Sequence, residues 1–376
     1  MRRVAAMVAC VVVFGACSSS SKPSAKQSSP ASTAATTTTT VATGPRSIGH
    51  VFVINLENEN YDTTWSKSSP ARYLNTTLRA KGKLLTQYYG IGHASLDNYI
   101  AEISGQAPNP RTQGDCLNYT EFVSTGTGKF GQELGAGCVY PKSVQTIADQ
   151  LTAAGKTWRG YMEDMGTPCR HPALGANDTT IAPKPGDMYA TRHDPFVYFH
   201  SILDSPACVQ NVVDFSHLAT DLKSVATTPN LAFITPNVCN DGHDGPCVDG
   251  EPGGLTTADR WLTAEVPKIL ASPAYKADGL LVITFDEAVV GGDAAACCHT
   301  PPSPNVDRPG LSGPGGGRIG TLVLSSRTKA GTTDATPYNH YSLLCSMEDM
   351  FGLAHLGFAG APGLACFGKD VYDASP

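Results

Sequence analysis

The stretch Gly279–Phe285, Gly-Leu-Leu-Val-Ile-Thr-Phe, ends abruptly in Asp286-Glu287. Seven uncharged, largely branched or aromatic residues suit burial on both sides, as in a strand inside a mostly parallel sheet. Residues 48–56 repeat the pattern and stop at Glu57-Asn58; residues 230–235 repeat it and lead through Pro236 to Asn240-Asp241. Further strand-like runs occupy 157–162 and 319–324. Between them lie stretches of helical spacing at 100–103, 143–154, 256–270 and 341–353. This alternation predicts an α/β fold, a mostly parallel central sheet flanked by helices on both faces.

Open sheets of this kind bind ligands beyond the carboxyl ends of their strands. Glu57, Asp241, Asp286 and Glu287 therefore gather along one edge. Carboxylates brought together repel unless a cation lies between them, so the pattern predicts a divalent ion with oxygen ligands, joined in some arrangements by histidine. Ser95 stands in Gly92-His93-Ala94-Ser95-Leu96-Asp97-Asn98, just ahead of the helical run. A hydroxyl there lies beside unpaired N–H groups and the positive end of the helix dipole, a suitable place for an oxygen nucleophile attacking an anion. Serine is equally a preferred N-cap.

The chain of 376 residues is 41% apolar, enough for one large α/β domain or two smaller ones, and carries a net charge of −6. With no Lys/Arg run beyond Arg2-Arg3, a nucleic-acid partner is not expected. Residues 1–17 read as a lipoprotein-type signal peptide: a basic start, a short apolar stretch, then Phe14-Gly15-Ala16-Cys17 resembling a bacterial lipobox, with Cys17 the acylated residue. Residues 18–46, rich in Ser, Thr, Ala and Pro, read as a disordered tether, and 47–376 as the catalytic domain. The expected location is the extracytoplasmic face of a bacterial membrane, or the medium. Ten cysteines beyond Cys10 and Cys17 favour disulfides in an exported chain, with local pairs at Cys116–Cys138, Cys239–Cys247 and Cys345–Cys366; no Cys-x-x-Cys pair favours zinc. Segments 115–137 and 289–317, rich in glycine, are expected as loops over the site. The run Gly315-Gly316-Gly317 lacks the Lys-Ser/Thr that would make it a phosphate loop.

Five short segments, in order, carry a resemblance: 50–58, 93–105, 235–244 with Asn240-Asp241-Gly242-His243-Asp244, 284–287, and 338–353 with Tyr338-Asn339-His340-Tyr341-Ser342. Together they resemble the phosphoesterase family of bacterial acid phosphatases and phospholipases C, related to the alkaline-phosphatase-like superfamily. The resemblance implies that Glu57, Asn58, Asp286 and Glu287 hold the metal and that Ser95 is the nucleophile. It also implies that Asn98, Asp241 and His193 contact the substrate, and that His243 and His340 serve the phosphate or the leaving group. Two-metal relatives usually carry Asp at the position of Glu57 and Asp-His where this chain has Asp286-Glu287, which favours one divalent ion. The implied activity is hydrolysis of small phosphomonoesters through a phosphoserine. A phospholipase C-like phosphodiesterase and a non-catalytic cell-surface binding lipoprotein of the same fold are the alternatives.

Overall fold

The computed structural model describes residues 48–373; the signal peptide, Cys17 and the whole of the tether's expected span fall outside them. An eight-stranded sheet organises the described residues. In chain order its strands are β1 (His50–Leu56), β2 (Lys83–Leu85), β3 (Trp158–Met162), β4 (Val212–Asp214), β5 (Leu231–Thr235), β6 (Gly279–Phe285), β7 (Thr321–Ser325) and β8 (Thr332–Asp334). They lie side by side as β8-β2-β7-β6-β1-β5-β3-β4. The sheet is parallel except at β7, which opposes β6 and β2. Every residue of β1, β5 and β6 is buried, as expected for strands covered on both faces.

Register decides what the site contains. Leu56 lies opposite Phe285, and Ile54 opposite Ile234. β1 and β6 therefore end flush, with Glu57 beside Asp286. The pairing continues past the strands: Asp286 N–H donates to Leu56 O at 2.9 Å, and Glu57 N–H donates to Asp241 O at 2.9 Å. Three acid-bearing loops leave the sheet at one point.

Four helices frame this edge: α1 (Ser95–Ser104), α2 (Ile147–Ala153), α3 (Gly254–Ala271) and α4 (His340–Phe351). All ten residues of α1 are buried, so it runs within the core, packed against α4. Gly105 and Gly352 close α1 and α4 in the left-handed conformation. The helix expected over 143–154 begins only at Ile147, because Thr146 and Asp149 form a capping box that fixes the start there. Strands β2, β4 and β8, three residues each, are too short to show periodicity in sequence. Segment 115–137 is not wholly loop, since Val123–Thr127 and Glu133–Ala136 form an antiparallel hairpin whose first strand is exposed. Segment 289–317 carries no helix or named strand. All three expected disulfides form, joined by Cys169–Cys208 and Cys297–Cys298.

α4 also carries a buried acid outside the site. Glu348 accepts Leu356 N–H at 2.9 Å, while its Oε2 is buried without a partner. Burial pushes its pKa from 4.5 to about 9. The fold thus keeps a proton that the unfolded chain has released, so this contribution is full below pH 4.5 and is lost as pH rises towards 9, by at most about 1.4 kcal/mol per pH unit. Glu348→Gln should flatten that decline. Urea midpoints at pH 5 and pH 8 check it: the variant's advantage is expected to grow with pH, and equal gaps at both values would contradict it.

Candidate active site

Ala94, not Ser95, is the N-cap of α1, and Ser95 is its first helical residue. Its hydroxyl caps nothing; Oγ donates to Glu57 Oε2 at 2.9 Å. The helix start is served instead by Asp115, whose Oδ1 accepts Leu96 N–H at 3.0 Å. The loop ahead of Ser95 is shaped by Asn98. Its Oδ1 accepts Ile91 and Gly92 N–H at 2.7 and 3.1 Å, and its Nδ2 donates to Glu287 Oε2 at 2.8 Å and faces Gly92 O and Ala94 O at 3.2 Å. Asn98, expected to hold substrate, here joins the Ser95 loop to Glu287. That loop can approach because Gly90 lacks a side chain: a Cβ there would lie 2.7 Å from Asp286 O and 3.2 Å from Gly316 Cα. The glycine run is thus a packing surface for the loop.

Glu57, Asp241, Asp286 and Glu287 are all essentially inaccessible to solvent. Glu57 Oε1 accepts the Tyr99 hydroxyl at 2.5 Å. Asp286 Oδ1 accepts the N–H groups of Asn58 and Glu287 at 3.1 and 2.7 Å, and Glu287 Oε1 accepts Asn58 Nδ2 at 3.2 Å. A positive φ of 43° at Asn58 turns the chain sharply just after β1. Burial raises the pKa of all four acids; the charge of Asp286 adds to the rise for Glu57, Asp241 and Glu287.

The histidines divide into three settings. His193 lies between carboxylates, with Nδ1 3.1 Å from Asp241 Oδ2 and Nε2 3.4 Å from Glu57 Oε1, its ring stacked on Tyr99. Burial, with Arg192 and His243 nearby, holds its pKa well below the usual value. His243 sits at the rim: its N–H donates to Asp241 Oδ1, and its ring reaches Asp244 at 2.8 Å and Arg192 at 3.2 Å. His340 is fully buried behind the site. Its Nε2 is 2.6 Å from Asp286 O and its Nδ1 2.7 Å from Glu102 Oε1, beside the Tyr88 hydroxyl. Burial opposes its charged form, yet Glu102 raises its pKa overall. His340 thus supports the backbone of Asp286, as a structural histidine at a helix start would.

Four participants have no signature in sequence. Tyr99 and Glu102 read as ordinary members of a buried helix, Asp115 as a loop acid, and Arg192 as a neighbour of His193. Only the i+4 and i+7 offsets of Tyr99 and Glu102 from Ser95 could have drawn attention to that face of the helix.

The donor set fits a hard divalent cation. Among the described residues, Asn58 Oδ1 and Asp286 Oδ2 are buried and lack hydrogen-bond partners, as does His193 Nε2. Glu57, His193 and Asp241 also offer atoms all within 4.8 Å of one another, so two residues expected to touch substrate stand in a second ligand-competent group.

Fold and site together define a class: α/β proteins that set a serine hydroxyl against a buried carboxylate cluster. The sequence profile of the phosphoesterase family matches residues 72–354, and the chain belongs to that family. Among curated relatives, the phosphate-repressible acid phosphatase of Penicillium chrysogenum is 28% identical over 283 residues, 74% of this chain and 54% of the relative. The phosphatidylinositol-3-phosphatase of Mycobacterium tuberculosis is 24% identical over 314 residues, 83% of this chain and 80% of the relative. The chain thus spans about half the length of the fungal acid phosphatase. A solved structure of a protein in the alkaline phosphatase superfamily from Vibrio parahaemolyticus is similar at a TM-score of 0.48 and 12% identity, covering 83% of this chain and 68% of that one. The α/β assignment rests on the sheet itself.

Proposed function

We propose that this chain is an exported, metal-dependent phosphoesterase that hydrolyses small phosphomonoesters through a phosphoserine on Ser95. The observation that carries this reading is the Ser95 hydroxyl, which turns away from helix capping to meet Glu57 Oε2 at 2.9 Å. Names of relatives, acid phosphatases and a phosphatidylinositol phosphatase, agree with it.

Glu57, Asn58, Asp286 and Glu287 would hold the cation, which when bound neutralises phosphoryl charge and favours a serine alkoxide. Ser95 Oγ gives its proton to Glu57 and forms a bond to phosphorus as the bond to the leaving oxygen breaks. His243, at the rim with its side chain 32% exposed, protonates that oxygen. Water then cleaves the phosphoserine, releasing inorganic phosphate and restoring the hydroxyl. Asn98 keeps the Ser95 loop and Glu287 in register throughout. Tyr99 and His193 orient Glu57, and His340 fixes the backbone of Asp286.

The test is release of alcohol from p-nitrophenyl phosphate by the purified protein, with and without chelator, together with mass detection of a phosphorylated Ser95 peptide after rapid quenching. Turnover insensitive to chelator, or unaffected by Ser95→Ala, would overturn the reading. Cation content separates the two ligand groups: Asp286→Asn is expected to lose bound metal and Asp241→Asn to retain most of it, and the reverse order would place the ion at the Glu57, His193, Asp241 group. Export rests on the leader and on five disulfides, which suit an oxidising compartment. Cys17→Ser should move the protein from the detergent phase to the aqueous phase on partition.

A further inference from the structure

Arg192 is 8% exposed, and among the described residues no carboxylate lies within ion-pair distance of its guanidinium. Arginine is seldom buried without a partner, because removing its charge from water is costly. Its one hydrogen-bond contact is Nη2 to His243 Nε2 at 3.2 Å. His243 Nδ1 faces Asp244 Oδ1 at 2.8 Å, so once the ring has given up its Nε2 proton it keeps the one on Nδ1, and Nε2 accepts from Arg192. Most of the five donors of the guanidinium are left over.

The guanidinium lies beside the site, since its charge acts on both Asp241 and Asp115. A chain of contacts runs from Ser95 Oγ to Glu57 at 2.9 Å, from Glu57 to His193 at 3.4 Å, from His193 to Asp241 at 3.1 Å, and from Asp241 to the backbone of His243 at 2.7 Å. His243 then reaches Arg192. On the other side, Asp115 sits on Leu96 N–H, one residue past Ser95, and is close enough to Arg192 to feel its charge. Arg192 therefore lies at the rim of the carboxylate cluster, near both Asp241 and the Asp115 that meets the start of the Ser95 helix. A cation held by those carboxylates would neutralise one side of a phosphoryl group, leaving Arg192 to meet the opposite side.

We propose that Arg192 is the specificity-determining residue of the site, gripping the second anionic oxygen of a phosphomonoester dianion and so favouring monoesters over diesters. This rests on the catalytic reading above and names its substrate class. The chemistry follows from charge: a phosphomonoester carries about −1.5 to −2 at pH 7, having a second pKa near 6, whereas a diester carries only one negative charge. The planar guanidinium can hold two phosphoryl oxygens at once, and a diester has esterified one that a monoester leaves free.

The test uses the full chain and its Arg192→Gln and Arg192→Lys variants, with p-nitrophenyl phosphate and bis(p-nitrophenyl) phosphate. For Arg192→Gln, kcat/KM on the monoester is expected to fall about 10²-fold and on the diester less than about fivefold. Arg192→Lys should recover part of the loss, since the charge returns without the fork. Equal falls on both substrates would reduce Arg192 to a structural role and overturn the proposal. A second arm measures inorganic phosphate binding by calorimetry in the Ser95→Ala background, where turnover plays no part. There Arg192→Gln should weaken binding at least tenfold, and an unchanged Kd would sink the proposal. If wild type fails to hydrolyse the monoester yet binds phosphate through Arg192, the catalytic reading falls and with it the preference in turnover, while the grip of Arg192 on phosphate stands. If Arg192→Gln does not fold, Arg192→Lys carries both arms.

Discussion

Ser95→Ala is expected to lower phosphomonoester turnover by about 10⁴-fold or more, the scale seen when a covalent nucleophile is removed, while leaving the fold nearly as stable. The reason lies in what Oγ bonds. A lost N-cap costs about 1 kcal/mol of stability and has no bearing on chemistry. Ser95 is not the cap; Ala94 is, and Asp115 accepts the N–H of Leu96, one residue past Ser95. Alanine at position 95 improves helix propensity slightly and deletes one hydrogen bond to buried Glu57, two effects of about 1 kcal/mol or less and opposite sign. The thermal midpoint should therefore shift by no more than about 3 °C. Activity assays and a melting curve on the same preparation check both halves. Turnover near the wild-type level would remove Ser95 from the mechanism, whatever the melting curve showed.

Removing the cation should have the second large effect, on activity and stability together. Four buried carboxylates without a counter-ion can stay folded only by holding protons, which is why their pKa values rise. In the cation-free protein this makes stability fall as pH climbs above the ordinary carboxylate range, because the unfolded chain ionises first. Cation binding reverses the slope: protons and metal compete for the same oxygens, so affinity should rise with pH. At a free concentration 100 times its Kd the ion adds about 2.7 kcal/mol, or about 5 °C in midpoint. Chelation should therefore remove turnover and lower the midpoint more at pH 7.5 than at pH 5. Asp286→Asn should copy the loss of turnover but lessen the destabilisation of the cation-free state, having one fewer buried charge. Equal midpoints with and without chelator at both pH values would show that the cluster holds no ion.

Much of the site was legible because its residues follow strands. β1 and β6 announce themselves as uncharged runs, and the first residue after each is an acid. Where a strand is long and buried on both faces, its uncharged run marks its ends to within a residue or two. The run at 319–324 marks β7 as a strand but not its antiparallel direction, since periodicity carries no sense of direction. The three-residue edge strands were missed for want of length. Among the histidines, sequence order marked His193, His243 and His340 alike. Packing gave them three different settings: His193 between two carboxylates, His243 at the rim beside Arg192, and His340 behind Asp286 against Glu102. A helix face seen alone does not say whether Glu102 is solvated; only the burial of all of α1 does.

The sequence by itself determined the kind of sheet, the acids at its carboxyl edge and the hydroxyl at a helix start, because each follows from local hydrophobic pattern and chain order. Only the tertiary structure decided that Ser95 bonds Glu57 rather than its own helix, that Asn98 serves the loop and Glu287, and that Arg192 is buried with no carboxylate of the described residues in ion-pair reach. Those outcomes depend on register between β1 and β6 and on how closely Gly90 and Gly316 let two loops meet. Such contacts join residues some two hundred positions apart, and no local pattern encodes a distance of that kind.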